Sequence, residues 1–373
     1  SSTSNTASNN TAVGASALTA NTTGTQNVAV GSNALALNTT ASNNTAVGYN
    51  SLNANTTGTA NVAVGYSAGI SLTTGAYNTI VGANAGMDLV TGGSCTFVGE
   101  EAGQNATGGA NTFVGAFAGE NYSGGNNNTS LGRAALLGVD GSSTGDNNVA
   151  IGYNSMLANT TGASNVALGA FALDANTTGA SNTAVGQEAL TTNVTGGDNS
   201  AFGRRALNSN TTGASNTAIG LESLYANTTA SNNTAVGTSA LGANTTGEGN
   251  TAVGYSAGLS VSTGSNNVLI GQQAGQSGVL LTTGAANTII GNYAHTTAAG
   301  TIDAQILGYN VAGEGGYTTV GNGASDIRAA NGTATWAAVS DQRYKKDIVD
   351  STAGLSFINA LQPRTFKYKT LGE

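Results

Sequence analysis

One five-residue pattern returns along almost the whole 373-residue chain. It first appears as Asn10-Thr11-Ala12-Val13-Gly14, and its closing glycine then recurs at positions 31, 48, 65, 82, 99, 115, 132, 152, 169, 186, 203, 220, 237, 254, 271, 291 and 308. Of the seventeen intervals, fourteen are seventeen residues long, one is sixteen and two are twenty. A period this constant is typical of a chain that stacks one small unit many times. The chain is therefore better divided into coils than into ordinary globular domains.

Composition limits what each coil can contain. The chain has 56 glycines and one proline, and only 8% of its residues are charged. Such a chain cannot build a thick core of large side chains, so its order must come from stacking. The composition is also compatible with disorder, but apolar residues at fixed places in every period favour a folded chain.

The residues before each closing glycine predict a short β-strand. If the glycine is position 0, position −1 is apolar in every period, and position −3 is Thr, Val or Ser as far as Thr288. This alternation of β-branched residues is typical of a strand, and we expect positions −3 and −1 to face the coil interior. Position −2 is usually Ala but becomes Ile80, Phe97 or Phe113 in places, and we expect a neighbouring chain to cover it.

Two further positions have predicted structural roles. Position −4 is Asn in sixteen of the seventeen periods that end at Gly14 to Gly291, and Cys95 is the exception. Coils about 4.8 Å apart would bring these amides into register as an asparagine ladder. We interpret Cys95 as a tolerated substitution rather than a reactive thiol. Position −7, nearly always Gly as at Gly24, predicts a turn with positive φ.

These patterns predict an all-β fold, a parallel β-solenoid with about 17 residues per coil. We expect three such solenoids to pack around a common axis as a homotrimer. The period is lost after Gly321. Leu355, Ile358 and Leu361 then follow at helical spacing before a strand-like alternation, which predicts a short α+β C-terminal tail.

Charge and composition exclude several classes of partner. Residues 1–339 contain four arginines and no lysine, whereas all four lysines lie in residues 340–373. The repeats lack the Lys/Arg density that phosphate binding needs, so we expect no nucleic acid. No stretch is long and apolar enough for a membrane span, and Ser1 leads directly into repeat-like sequence without a leader. With His295 the only histidine, we expect no metal site and no cofactor.

Sequence variation concentrates at positions +1 and +2, where it could carry recognition. The residues that depart from the pattern there include Tyr49, Tyr66, Glu100, Glu101, Phe117, Arg133, Tyr153, Phe171, Glu188, Arg204, Arg205, Glu222, Tyr255 and Tyr293. Our candidates for contact with a host-surface glycan or receptor are Tyr49, Tyr66, Tyr153, Tyr255, Arg204 and Arg205. Glu188, Arg205 and Glu222 occupy +2 in successive coils and should form an alternating charge ladder, which could equally be a plain row of surface ion pairs.

Threonine pairs and acidic pairs give two further hypotheses. Thr22-Thr23, Thr39-Thr40 and Thr56-Thr57 recur in register and could form the flat array of an ice-binding solenoid. The Asn-Xaa-Ser/Thr triplets, such as Asn21-Thr22-Thr23, arise from the repeat itself. Glu100 and Glu101 are adjacent on a strand and face opposite ways, so they are a poor acid and nucleophile. We therefore expect no enzyme activity in the repeats.

The repeat unit resembles a known family of fibres. Asn-Xaa-Ala-Val-Gly followed by a small residue three positions later is similar to the head repeats of trimeric autotransporter adhesins, the YadA-like heads, and to repeats in phage tail fibres, over about residues 5–321. The seventeen-residue period departs from the shorter coils of those heads. The resemblance implies a trimeric extracellular fibre, exposed on a virion or a cell surface and used for attachment.

The tail resembles a second family. Ser340 to Ile348 and Leu361 to Lys369 look like the start of the intramolecular chaperone domain of endosialidase tailspikes and other phage fibres. We therefore divide the chain into a shaft at 1–321, a connector at 322–339 and the truncated start of that domain at 340–373. The resemblance implies that the domain assembles the trimer and then cuts itself off, with Ser340 as nucleophile and Lys345 as its base. The alternative is that Ser340 only caps a structured tail.

The favoured function is thus a structural and attachment fibre of a phage or virus. A bacterial trimeric surface adhesin and an ice-binding solenoid are the alternatives.

Overall fold

The computed structural model describes residues 6–139, 141–333 and 337–338. Seventeen strands of three residues begin the fold, one in each coil: β1 Thr11–Val13, β2 Val28–Val30, β3 Thr45–Val47, β4 Val62–Val64, β5 Thr79–Val81, β6 Thr96–Val98, β7 Thr112–Val114, β8 Thr129–Leu131, β9 Val149–Ile151, β10 Val166–Leu168, β11 Thr183–Val185, β12 Ser200–Phe202, β13 Thr217–Ile219, β14 Thr234–Val236, β15 Thr251–Val253, β16 Val268–Ile270 and β17 Thr288–Ile290. Six more follow: β18 His295–Thr296, β19 Gln305–Gly308, β20 Ala312–Gly313, β21 Tyr317–Gly321, β22 Ile327–Ala330 and β23 Ala337–Ala338. The described residues contain no helix.

The strands stack in parallel with one constant register. Each of β1 to β17 pairs with the strand one coil later, so that Ala184 lies opposite Ala201 and Ala201 opposite Ala218. The two twenty-residue periods keep this register, because Ser130 pairs with Ala150 across the first of them. The predicted parallel β-solenoid, with about seventeen residues per coil and about eighteen turns, is confirmed.

The carboxyl end of the solenoid is built differently. β19 pairs in parallel with β21 only thirteen residues later, with Ile306 opposite Thr319. β21 then pairs antiparallel with β22, which covers the last parallel edge with a hairpin. The chain divides into two units, Ser1–Ala337 and Ala338–Glu373. The predicted α+β tail lies outside the described residues.

The predicted orientation of the strands was wrong. From Ala29 to Ile289, every position −2 side chain within β2 to β17 is fully buried, whereas position −1 side chains such as Phe202 and Ile219 are 41% and 43% exposed. A seventeen-residue coil encloses only a narrow interior, and alanine fits it where Val or Ile columns on both sides would not. Positions −3 and −1 therefore form the outer face of the sheet, and the −2 residues need no neighbouring chain to cover them.

Large and small residues compensate one another inside the coils. In eight coils Ala at −2 is combined with a buried Leu at +4, as Ala184 is with Leu190. Where the −2 residue is phenylalanine, +4 is glycine: a Cβ placed on Gly103 would lie 2.9 Å from the Phe97 ring. Phe97 and Phe113 stack there with ring centroids 5.2 Å apart. The core thus keeps one close-packed volume along the stack although its residues change.

The bend after each strand has an unusual backbone. Residues at +2 and +4 have positive φ even when they are not glycine, for example 58° at Glu188 and 52° at Leu190. Their N–H groups point in opposite directions along the stack, from Glu188 to the Ala170 carbonyl and from Leu190 to the Ala206 carbonyl, both at 3.0 Å. These bonds offset the cost of the left-handed conformation, which is on the order of 1–3 kcal/mol per residue.

The glycines with positive φ are not the ones for which the sequence pattern predicted it. Position −7 residues such as Gly24 do not have positive φ, but the closing glycines do, with 134° at Gly186. A Cβ on Gly186 would lie 2.6 Å from the carbonyl carbon of Gly203 in the next coil. The closing glycine is therefore required both by its φ and by the close approach of the coils.

Candidate functional site

The predicted asparagine ladder at position −4 is confirmed and lies in the interior. The Asn199 N–H donates to Asn182 Oδ1 at 3.0 Å, and Asn199 Oδ1 accepts in turn from the Asn216 N–H at 3.0 Å. Asn199 Nδ2 also donates to the Gly213 carbonyl at 2.9 Å. The asparagine rungs from Asn27 to Asn287 are buried, so their amides satisfy backbone groups that no water reaches. The ladder holds the coils in register and offers no exposed chemistry.

A second asparagine ladder at position +7 was not predicted. Asn193 Nδ2 donates to Asn176 Oδ1 at 2.9 Å and to the Gly196 carbonyl at 2.9 Å. The ladder runs through buried residues Asn38 and Asn55 and again through Asn159, Asn176, Asn193, Asn210, Asn227 and Asn244. Its signal was the recurring Asn-Thr-Thr triplet, interpreted only as a by-product of the repeat. Because these asparagines are buried, the folded shaft does not present their triplets to a glycosylating enzyme.

Tyr122 and Cys95 interrupt the two ladders. Tyr122 replaces the +7 asparagine: its hydroxyl donates to the Gly145 carbonyl at 2.7 Å and accepts from Asn148 Nδ2 and Asn159 Nδ2 at 3.1 and 3.0 Å. Burial raises the pKa of Tyr122 to about 12, although the two amide donors act in the opposite direction. Burial also raises the pKa of the Cys95 thiol. Both groups are therefore neutral structural elements.

The predicted charge ladder is confirmed on the surface. Arg205 Nε lies 2.7 Å from Glu188 Oε2, and Arg205 Nη1 lies 3.6 Å from Glu222 Oε1. Arg204 Nη2 lies 3.9 Å from the same Glu222 oxygen. All four side chains remain partly exposed, so the row contributes little to stability. Arg204 and Arg205, both predicted as binding residues, are thus engaged by carboxylates of their own chain.

The four predicted binding tyrosines lie in three separate places. Tyr49 and Tyr66 stack in adjacent coils with ring centroids 5.5 Å apart. Tyr153 packs edge-on against Phe171 at 5.3 Å. Tyr255 is 55% exposed and lies twelve coils beyond Tyr49, about 58 Å along the axis at about 4.8 Å per coil. The predicted residues therefore share one side of the coils but do not form one site.

Tyr153 belongs to an aromatic and cationic cluster that the sequence analysis did not predict. The Arg133 guanidinium carbon lies 5.9 Å from the Tyr153 ring centroid and 5.5 Å from that of Phe117. Cation–π contacts of this kind restrict a guanidinium. The sequence did show all three residues as departures at +1 or +2, but not that three successive coils would bring them together.

Two clefts open beside these columns, between positions +2 and +5. The first has a volume of about 410 Å³ and lies between Phe117 and Asn154 on one wall and Glu120, Leu137 and Leu157 on the other, with Arg133 at its edge. The second, of about 300 Å³, lies between Glu222 and Ser239 on one wall and Tyr225, Gly242 and Leu259 on the other. Volumes of this size match small-ligand sites.

Other kinds of site receive no support. Within the part of the chain that the structure describes, no group of three or more His, Cys, Asp or Glu side chains could hold a metal ion. No helix there is long and apolar enough to cross a membrane. The predicted catalytic pair, Ser340 and Lys345, lies outside the described residues.

Comparison with known proteins identifies only the tail. Residues 340–373 match the family model described as Chaperone of endosialidase. No curated protein and no solved structure matches the chain. The match covers the region in which the sequence resembles that domain, while the similarity of the shaft to YadA-like heads remains a prediction.

Proposed function

We propose that this chain is the shaft of a homotrimeric attachment fibre of the phage or virus tail-fibre type, exposed outside the cell on a virion surface. The observation that carries the proposal is a parallel β-solenoid followed, after a short connector, by a region that matches the Chaperone of endosialidase family. The solenoid supplies a long rod, and the family match points to a domain that assists the assembly of such a rod.

The outer face of the sheet is the surface on which we propose that the copies meet. Across β1 to β17, positions −3 and −1 contain no charged residue. Leu131, Leu168 and Phe202 are among the large apolar side chains exposed there. The −1 column is apolar in every strand, while −3 is Thr or Ser in twelve of the seventeen. A soluble monomer rarely exposes an apolar column of this length. A three-residue strand is about 10 Å long and seventeen of them span about 80 Å, so the face covers on the order of 800 Å² per chain, the area that each partner buries in stable complexes.

The trimer is tested by sedimentation of the full chain. The face variant carries Val185→Lys, Ile219→Lys and Val236→Lys, and its matched control carries Thr195→Lys, Thr212→Lys and Thr229→Lys on exposed turns of nearby coils. We expect the wild type and the control to sediment at three times 36.3 kDa. The face variant should sediment as a monomer with an unchanged far-UV circular dichroism spectrum. A wild-type monomer at all concentrations contradicts the trimer.

Attachment is tested by adsorption of the labelled trimer to cells. Saturable adsorption to some bacterial strains and not to others supports a tail fibre that recognises a surface glycan or receptor. Saturable adsorption only to animal cells favours the alternative, a bacterial trimeric surface adhesin. Weak adsorption of equal strength to every surface contradicts both.

The ice-binding alternative is not favoured by the hydroxyl groups. The +8 threonines donate to carbonyls of the next coil, as Thr22 Oγ1 does to Thr39 at 3.0 Å and Thr211 Oγ1 to Thr228 at 3.1 Å. Half of the expected threonine array is therefore engaged within the protein. Thermal hysteresis of the purified chain would reverse this preference.

Self-cleavage of the tail is part of the same proposal. Ser340 would be the nucleophile and Lys345 the base that accepts its proton, which requires a lysine pKa well below the usual value of about 10.4. Mass spectrometry of the complete gene product with Ser340→Ala tests the pair. Unchanged processing in that variant excludes the pair, and cleavage lost in the variant supports it.

A further inference from the structure

The groove between positions +2 and +5 is closed in several coils by side chains that reach across it. Asn53 Nδ2 donates to the Asn33 carbonyl at 3.1 Å, and Asn208 Nδ2 donates to the Glu188 carbonyl at 3.1 Å. Thr191 Oγ1 makes the same contact with the Phe171 carbonyl at 3.1 Å. In each case the +5 side chain satisfies the +2 carbonyl of the preceding coil.

The groove is open where the +5 residue cannot donate. Leu137 and Leu157 occupy +5 in two successive coils and form one wall of the 410 Å³ cleft. By the pattern of the closed coils, a donor at these positions would reach the carbonyls of Phe117 and Ala134. Among the described residues, neither carbonyl receives a side-chain hydrogen bond, and the Phe117 carbonyl accepts one backbone bond, from the Glu120 N–H at 3.3 Å, which leaves its second lone pair for a ligand. The open cleft thus offers backbone acceptors beside an apolar wall.

Arg133 adds free donors at the edge of the cleft. It is held by the Phe117 and Tyr153 rings, and it makes no ion pair with any residue that the structure describes. The other arginines of the described chain, Arg204, Arg205 and Arg328, are all paired with carboxylates. The Arg133 guanidinium is therefore oriented by aromatic contacts while its N–H groups remain available to a ligand.

We propose that this cleft binds a pyranose unit of a surface glycan. A sugar ring combines an apolar face, which suits Leu137, Leu157 and Phe117, with hydroxyl groups that can donate to the carbonyls on the opposite wall of the cleft. Its oxygens can accept from Arg133 and from the Asn154 amide. Three coils span about 10 Å, which is room for one ring with its substituents. The site deepens the proposed attachment function and rests on it for its biological role.

The test uses saturation-transfer-difference NMR on the full chain. The probes are methyl α-D-glucopyranoside, methyl α-D-galactopyranoside and methyl β-D-glucuronide, which separate a neutral ligand from an acidic one. We expect saturation transfer to at least one probe with a millimolar Kd, because a single small ring has few atoms in contact. Arg133→Met should weaken binding by about tenfold, the loss of one charge-assisted contact.

A second variant, designed to close the cleft, gives a sharper test of the site. Leu137→Asn with Leu157→Asn should donate to the Phe117 and Ala134 carbonyls, as Asn208 does in its coil, and abolish saturation transfer. Leu37→Asn, at an exposed leucine far from the cleft, is the matched control and should bind like the wild type. The closed variant and the control are compared with the wild type once both are shown to melt at the wild-type temperature. Arg133→Met remains informative if the closed variant does not fold.

Absence of saturation transfer from all three probes, or unchanged transfer in both the closed variant and Arg133→Met, overturns the site. The cell-adsorption assay separates this failure from that of the fibre. A closed variant that loses sugar binding but adsorbs to cells like the wild type removes the cleft from attachment and leaves the attachment function standing.

Discussion

Cys95 interrupts the −4 ladder, and restoring an asparagine there should stabilise the shaft. The Cys95 N–H still donates to Asn78 Oδ1 at 2.9 Å, so the ladder is intact up to this coil. On the other side, the backbone N–H of Asn111 faces the Cys95 sulfur, whereas the coils with an asparagine rung present an amide oxygen. Sulfur is a weak acceptor, and Asn111 is fully buried.

The magnitude of the effect follows from the groups that Cys95→Asn would satisfy. The new Oδ1 would accept from the Asn111 N–H, and the new Nδ2 would donate to the Gly108 carbonyl, which now lies 3.5 Å from the Cys95 sulfur. Each intramolecular hydrogen bond contributes about 1 kcal/mol net. We therefore expect local opening at this coil to become about 1–3 kcal/mol less favourable.

Hydrogen exchange with mass spectrometry measures this opening locally, which suits a repeat array that need not unfold in one step. Peptides spanning residues 105–118 should exchange about ten- to a hundredfold more slowly in Cys95→Asn than in the wild type. Cys95→Ala, the control, should exchange at the wild-type rate or faster. Faster exchange in Cys95→Asn than in Cys95→Ala would refute the argument that an amide is the preferred rung.

Three further substitutions test the interior. Asn199→Ala leaves the Asn216 N–H unpaired and removes one of the two amide bonds to the Gly213 carbonyl, which keeps the one from Asn210, and should cost about 2–4 kcal/mol by chemical denaturation, whereas exposed Thr229→Ala should cost little; equal costs would contradict the ladder's role. Because the folded-state pKa of Tyr122 is raised to about 12, its contribution is complete below pH 10 and should fall by about 2 kcal/mol as pH rises to 12. Denaturation at each pH should show that drop in the wild type and lose it in Tyr122→Phe; the same drop in both would contradict the assignment. Phe113→Ala should lower stability by about 3–5 kcal/mol through a cavity that Gly119 cannot fill, and a loss below 1 kcal/mol would contradict the packing.

The period made the solenoid and its first ladder predictable, because both depend only on what recurs every seventeen residues. In a parallel stack of seventeen-residue coils, the asparagine at −4 lies directly beside the asparagine at −4 of the next coil. Its place in a hydrogen-bonded ladder therefore followed from its spacing. The charge ladder of Glu188, Arg205 and Glu222 was predictable for the same reason. In each case the sequence interval alone fixed which residues would lie one above another.

The direction of the strand faces could not be obtained from spacing. Alternation distinguishes −2 from −1 but not inside from outside, and β-branched residues at −1 resemble a core when considered alone. The information that was needed lies in how positions −2 and +4 vary together: Phe97 and Phe113, the two phenylalanines at −2, occur in coils where +4 is glycine, at Gly103 and Gly119. The cleft beside Arg133 was equally hidden, because it depends on which +5 side chains reach a carbonyl of the preceding coil.

Cryo-electron microscopy of the full chain tests the account most directly, because an axial section shows both the coil and its neighbours. We predict three seventeen-residue coils in each layer of about 4.8 Å, with −2 residues such as Ala235 inside each coil and −1 residues such as Val236 at the contact between copies. A section that contains a single solenoid, or that places the Tyr49 and Tyr66 side at the common axis, would contradict the account.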